Sequence, residues 1–185
     1  MHAKGTATAL RRTRSGFALM ELVVAIALMA IAFAGISSTL ATTMSQRKAN
    51  QESARAIRAA LSMADTLRDA DFATLFASYN ASDLDDPNGV GTAPGSDFAI
   101  PGLTAREDDA DGFVGRVVFP GDGLTLREDT VETSLGLPRD LNGDLVVDAL
   151  DHAADYEVLP LTIQVDWAGP RGPQSIQIAT TMTSR

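Results

Sequence analysis

Arg11-Arg12-Thr13-Arg14-Ser15-Gly16-Phe17-Ala18-Leu19-Met20-Glu21 decides how this chain is laid out. A short basic stretch ends in a glycine, an aromatic residue follows, and a lone acid stands five places beyond the glycine. From Leu22 to Ile36 there is no charge at all. A helix of about 20 apolar residues crosses the hydrocarbon core of a bilayer, and residues 17–38 supply one. The flanking positive charge, Lys4, Arg11, Arg12 and Arg14, is N-terminal. The positive-inside bias therefore holds 1–16 in the cytoplasm and sends the rest of the chain across, a single pass.

A secretory signal peptide is cut after its apolar core, beside small side chains, and Ser37-Ser38-Thr39-Leu40-Ala41 could loosely serve. That reading, like a plain signal anchor, gives no reason for an acid inside the core. Placing Glu21 there costs about 2.5–3.5 kcal/mol on insertion scales, and such residues mark function with a partner elsewhere. The plainer alternative is a carboxylate that snorkels to the headgroups.

Gly16, Phe17 and Glu21 together resemble the N-terminus of type IV prepilins and type II secretion pseudopilins. The resemblance implies that 1–16 is a leader removed by an aspartic prepilin peptidase between Gly16 and Phe17. It implies that the new Phe17 amine is methylated and that Glu21 pairs with the Phe17 amine of a neighbouring subunit. The implied partners are the peptidase/methylase, other pilin or pseudopilin subunits, an inner-membrane assembly platform and membrane lipid. The implied location is the bacterial inner membrane, N-terminus cytoplasmic, and then a periplasmic or extracellular filament.

The 185 residues allow one membrane helix and one small domain. There is no cysteine, which removes disulfides, thiolate nucleophiles and cysteine metal sites. Loss of the four basic leader residues leaves 11 Lys+Arg against 24 Asp+Glu, a formal charge of −13. That charge argues against nucleic acid as a direct partner, because phosphate binding needs concentrated Lys and Arg. Divalent cations or basic surfaces of other subunits suit so acidic a domain, although acids also simply keep an exported domain soluble.

Beyond the membrane segment the chain has no proline or glycine from Thr39 to Phe76. Ile57, Leu61, Ala64, Leu67, Phe72, Leu75 and Phe76 recur at helical steps. Arg47, Lys48, Glu52, Arg55, Arg58, Asp65 and Arg68 form the opposite, charged face. The reading is one long helix, a transmembrane half over 17–38 and an amphipathic half over 39–78, with Asp69-Ala70-Asp71 weakening its last turns. Residues 79–112 read as loop, with solvated acidic turns at 83–89 and 108–112. Strands are expected at 113–119, more weakly at 124–131, and at 157–167 and 175–183. The last two should form an antiparallel hairpin across the turn-rich 168–174, its apolar face covering the helix. The fold class is α+β, a pilin-like long N-terminal helix packed on a small antiparallel sheet in the extracytoplasmic part, 79–185.

Asp140-Leu141-Asn142-Gly143-Asp144-Leu145-Val146-Val147-Asp148-Ala149-Leu150-Asp151 is the second motif. It resembles the EF-hand and dockerin calcium loop. Carried over, Asp140, Asn142 and Asp144 bind Ca2+ by side chain, Val146 by its carbonyl, Asp148 directly or through water, and Asp151 closes the site. Leu145 stands where that pattern has glycine, Gly143 is displaced from it by two positions, and no entering helix precedes the loop. A solvated Asx-rich turn is the alternative. His152 should sit on the surface of a short helix after Asp148.

No nucleophile elbow, HExxH or phosphate loop is present, so no enzyme is expected. The leading reading is a minor pilin or pseudopilin that joins or initiates a type IV pilus or type II secretion pseudopilus. The alternative is a membrane-anchored calcium-binding or adhesion module that does not polymerise.

Overall fold

The computed structural model describes residues 15–184, with side chains from residue 18 onward. The leader's basic residues, Lys4, Arg11, Arg12 and Arg14, lie outside the described residues. Of Gly16 and Phe17 only the backbone is described, at the start of a helix. The chain divides into two compact units, Met1–Gln46 and Arg47–Arg185.

One helix, α1, runs Ser15–Asp69. Its part in the first unit is apolar on every side and uncovered. An 18-residue window reaches a mean hydropathy of 2.5 with none of its residues buried. Where hydroxyls enter at Ser38, Thr39, Thr42 and Thr43, each donates to a carbonyl three or four residues back, at 2.8–3.0 Å. Four hydroxyls are thereby taken up by the helix's own carbonyls, which suits a helix in lipid.

In the second unit α1 ends at Asp69, earlier than the expected boundary near 78. The break falls at the Asp69-Ala70-Asp71 stretch. Asp71 accepts from Ala73 N–H and caps a 3₁₀ turn, Phe72–Thr74, which leads into a short helix α2, Leu75–Tyr79. Tyr156 fastens this corner: its hydroxyl donates to Phe72 O at 2.5 Å and accepts from Phe76 N–H at 3.1 Å. Backbone groups freed by the break are thereby satisfied.

The sheet is antiparallel in the order β1-β2-β3-β4: β1 Asp97–Phe98, β2 Gly115–Val118, β3 Val158–Gly169, β4 Gly172–Thr183. The expected hairpin is present, but its strands run on through most of 168–174 and only Pro170-Arg171 lie between them. β1, inside the expected loop, is held by partners rather than propensity. Phe98 pairs with Gly115, and a Cβ at Gly115 would overlap the Phe98 ring. Arg116 of β2 binds Asp97, its cross-strand partner, and Asp111. The expected strand at 124–131 does not form; Asp122 instead accepts from Leu124 and Thr125 N–H and turns the chain. β4 is an edge strand whose 12 residues include no charged side chain.

The core lies between α1 and the inward face of β3, where Leu159, Leu161, Ile163, Val165 and Trp167 are all buried. The helix meets it with Ala56, Ala60, Ala64 and Leu67. Ile57 and Leu61, expected on that face, stand 44% and 50% exposed. The buried stripe is set by alanines and not by the larger apolar residues. Glu52, expected on the charged face, is buried; Oε1 lies 3.7 Å from Lys48 Nζ and Oε2 has no hydrogen-bond partner among the described residues.

Candidate functional site

Two regions carry chemistry. Glu21 stands on the exposed surface of α1 among Leu19, Met20, Leu22 and Val23, each more than half exposed. No group of the first unit's described residues is paired with it. A carboxylate so placed in an apolar helix calls for a cation from outside the chain or for a headgroup.

The second region is the acidic loop. Asp140 accepts Gly143 N–H at 2.7 Å and Leu145 N–H at 2.8 Å. Asn142 accepts Asp144 N–H, Asp144 accepts Val146 N–H, and Asp148 accepts Leu150 N–H. The loop is thus a run of side chains capping backbone donors two to five residues on. Such a coil needs left-handed residues, supplied by Gly143 (φ 80°) and Leu145 (φ 68°). Leu145 adopts the conformation a glycine would take freely. Burial pushes the Asp140 carboxyl up, but the N–H groups of Leu145 and Gly143 outweigh it and leave it below its ordinary range.

Two of the six proposed calcium ligands, Asp148 and Asp151, are engaged by other partners. Asp151 turns away to accept Leu126 N–H at 2.9 Å and Ala153 N–H at 3.1 Å. Asp148 turns toward His152. Among the described residues the structure gathers a different set, Glu128, Asp148 and His152, with one ligand atom from each within 4.8 Å of the others.

His152 is buried and opens a turn, closed by Asp155 N–H on His152 O, rather than lying in a helix, which corrects the surface expectation. Its Nε2 lies 3.2 Å from Asp148 Oδ1 and 3.9 Å from Glu128 Oε2; its Nδ1 lies 3.1 Å from Asp155 Oδ1. A neutral imidazole donates from one nitrogen only, whereas the protonated ring donates from both. Burial alone lowers the His152 pKa, but bonds to Asp148 and Asp155 and the charge of Glu128 outweigh it and raise it. Asp148 is held low, first by Leu150 N–H and then by His152.

Glu128 is the residue that sequence spacing missed. Its carboxylate is buried and accepts three backbone donors: Leu141 N–H at 2.6 Å, Asn142 N–H at 3.3 Å and Asp148 N–H at 3.2 Å. Backbone bonds Arg139 N–H to Glu128 O, Asp129 N–H to Asp148 O and His152 N–H to Leu126 O stitch the same segments. The cluster is a hub for a region almost without regular structure, and His152, when protonated, supplies positive charge to a buried acid. Two carboxylates and an imidazole form a donor set that suits a transition metal better than calcium, which takes six to eight oxygens. The group could hold a metal.

Residues 11–37 match the family model described as the prokaryotic N-terminal methylation motif. That motif is typical of type IV pilins and pseudopilins, and the long helix with its four-stranded antiparallel sheet is the pilin-like α+β arrangement. No curated protein and no solved structure matches the chain.

Proposed function

We propose that this chain is a minor pilin or pseudopilin. It is inserted through 17–38, cut between Gly16 and Phe17, methylated on the Phe17 amine, and joined to other subunits in a type IV pilus or type II secretion pseudopilus. The observation that carries this reading is Glu21, the single acid in the apolar, uncovered stretch of α1 within the matched motif. Proteolysis creates a cation, the Phe17 amine, on an adjacent copy. The pairing offsets the cost of holding either charge in a low-dielectric bundle. The uncovered apolar surface of α1 is buried by lipid before assembly and by other helices after it.

N-terminal sequencing of mature material tests the proposal: it should begin at methylated Phe17. Gly16→Leu should accumulate the full-length chain, and Glu21→Ala should be cut yet fail to enter fibres. Material that retains Met1, or an alanine variant that assembles as well as the parent, overturns it.

A second reading concerns the loop. The left-handed turns at Gly143 and Leu145, closing around Asp140, Asn142 and Asp144, favour a calcium-stabilised loop. Val146, Asp148 and Asp151 would complete the ligands only after Asp148 and Asp151 release their present partners. Calcium should then raise the melting midpoint and chelator should reverse the rise; identical curves remove calcium from the account.

A further inference from the structure

Two open surfaces of the Arg47–Arg185 unit complement one another. The first is the outer side of the acidic loop. Leu145 is 91% exposed and holds φ 68°. Strain and solvent both oppose a leucine there, and no contact among the described residues compensates for them. Val146, Val147 and Leu150 are exposed beside it. The bond from Asp129 N–H to Asp148 O brings Val131, 80% exposed, to the same region. Residues 140–151 contribute four aspartates and no basic residue to its surround.

The second surface is a flank of α1. At about 100° per residue, the buried stripe Glu52, Ala56, Ala60, Ala64 divides the helix into two flanks. On one, Arg55 donates to Gly102 O and Lys48 meets Glu52. On the other stand Arg47, Ala54, Ile57, Arg58 and Leu61, all exposed. Neither Arg47 nor Arg58 has a carboxylate partner among the described residues. This flank is apolar and basic, the counterpart of an apolar and acidic loop.

We infer that the loop around Leu145 docks on the Arg47–Leu61 flank of a second copy of this chain. The occupant follows from charge. Residues 140–151 carry four aspartates against the one adjoining Arg139, since Arg127 is taken up by Asp129. The flank carries Arg47 and Arg58, of which Arg58 donates to Ala54 O and neither meets a carboxylate among the described residues, while Asp65 is taken up by Arg68. The contact joins two different patches, so it is heterologous, and each copy keeps one patch of each kind for the next. A handful of apolar side chains is too small for a stable dimer in solution. The contact works where other links hold the copies together and raise their effective concentration. It therefore rests on the assembly reading above.

The chain has no cysteine, so an introduced pair reports cleanly. Leu145→Cys with Ile57→Cys, in the full chain in membranes under copper-phenanthroline oxidation, should give a ladder of dimers, trimers and higher species. Leu84→Cys with Ile57→Cys should give none, since Leu84 is 78% exposed outside the loop. Arg58→Glu should cut the ladder several-fold, as should raising ionic strength to about 1 M, where screening acts within ~3 Å. Leu145→Gly should melt no lower than the parent, yet reduce cross-linking between Val147→Cys and Leu61→Cys about tenfold, the effect of losing a central anchor.

Absence of the ladder in chains that begin at Phe17 and form Glu21-dependent assemblies overturns the docking and leaves the assembly reading standing. A ladder from uncut chains overturns that reading and, with it, the docking as a contact that assembly holds in place. Uncut chains without a ladder sink both.

Discussion

Replacing Glu128 by glutamine keeps its shape and removes its charge. The parent carboxylate accepts from three backbone N–H groups and faces His152 across 3.9 Å. In Glu128→Gln the amide NH2 must face a donor, Leu141 N–H or Asp148 N–H, so a buried N–H loses its partner. His152 simultaneously loses a counter-charge. Breaking a buried charged cluster from one side costs about 3–5 kcal/mol. A domain of this size has a total stability of roughly 7–20 kcal/mol. At ~2–4 °C per kcal/mol the midpoint should fall by about 6–20 °C. Trp167, the chain's single tryptophan and buried in the core, reports the transition by its fluorescence. The measurement uses the full chain in detergent at neutral pH. A glutamine variant melting within about 2 °C of the parent refutes the hub assignment.

The remaining predictions concern the same domain. His152 has a raised folded pKa, so the stability it contributes is fully present below its unfolded value of about 6.5 and is lost as pH rises through the folded value. The parent's midpoint should fall across that window, and His152→Gln should be flat there. Tyr156→Phe removes the hydroxyl that serves both Phe72 O and Phe76 N–H and should cost about 1–3 kcal/mol, read from the same melting curve. Ala60→Leu overpacks the helix–sheet contact and should cost about 1–3 kcal/mol, whereas Ile57→Leu, at a partly exposed position, should stay within about 0.5 kcal/mol of the parent.

The membrane helix and the β3–β4 hairpin were legible because each repeats a strong period over many residues. β1 was not, because two residues become a strand only when Phe98 finds Gly115 and Asp97 finds Arg116. The helix stripe was misphased by weighting large apolar residues: Ile57 and Leu61 drew attention from the alanines that touch the sheet. In the acidic loop, spacing identified side chains that do shape the turn, yet it assumed they share one target. Asp148 and Asp151 answer instead to His152 and Leu126, whose proximity no local pattern encodes. Glu128 had no signal, standing 12 residues before the motif and inside a segment that read as a strand. Glu21 was visible because one charge in a long apolar run has no structural excuse.

β4 closes the sheet with a long border of amide and carbonyl groups that carries neither lysine nor glutamate to repel a visitor. Most proteins fence such a border. Here the purified head should clump sideways as concentration rises, and a lysine at the outward-facing position of Thr181 should keep it dispersed. Whoever prepares this domain will find its solubility governed by β4 more than by its large negative charge.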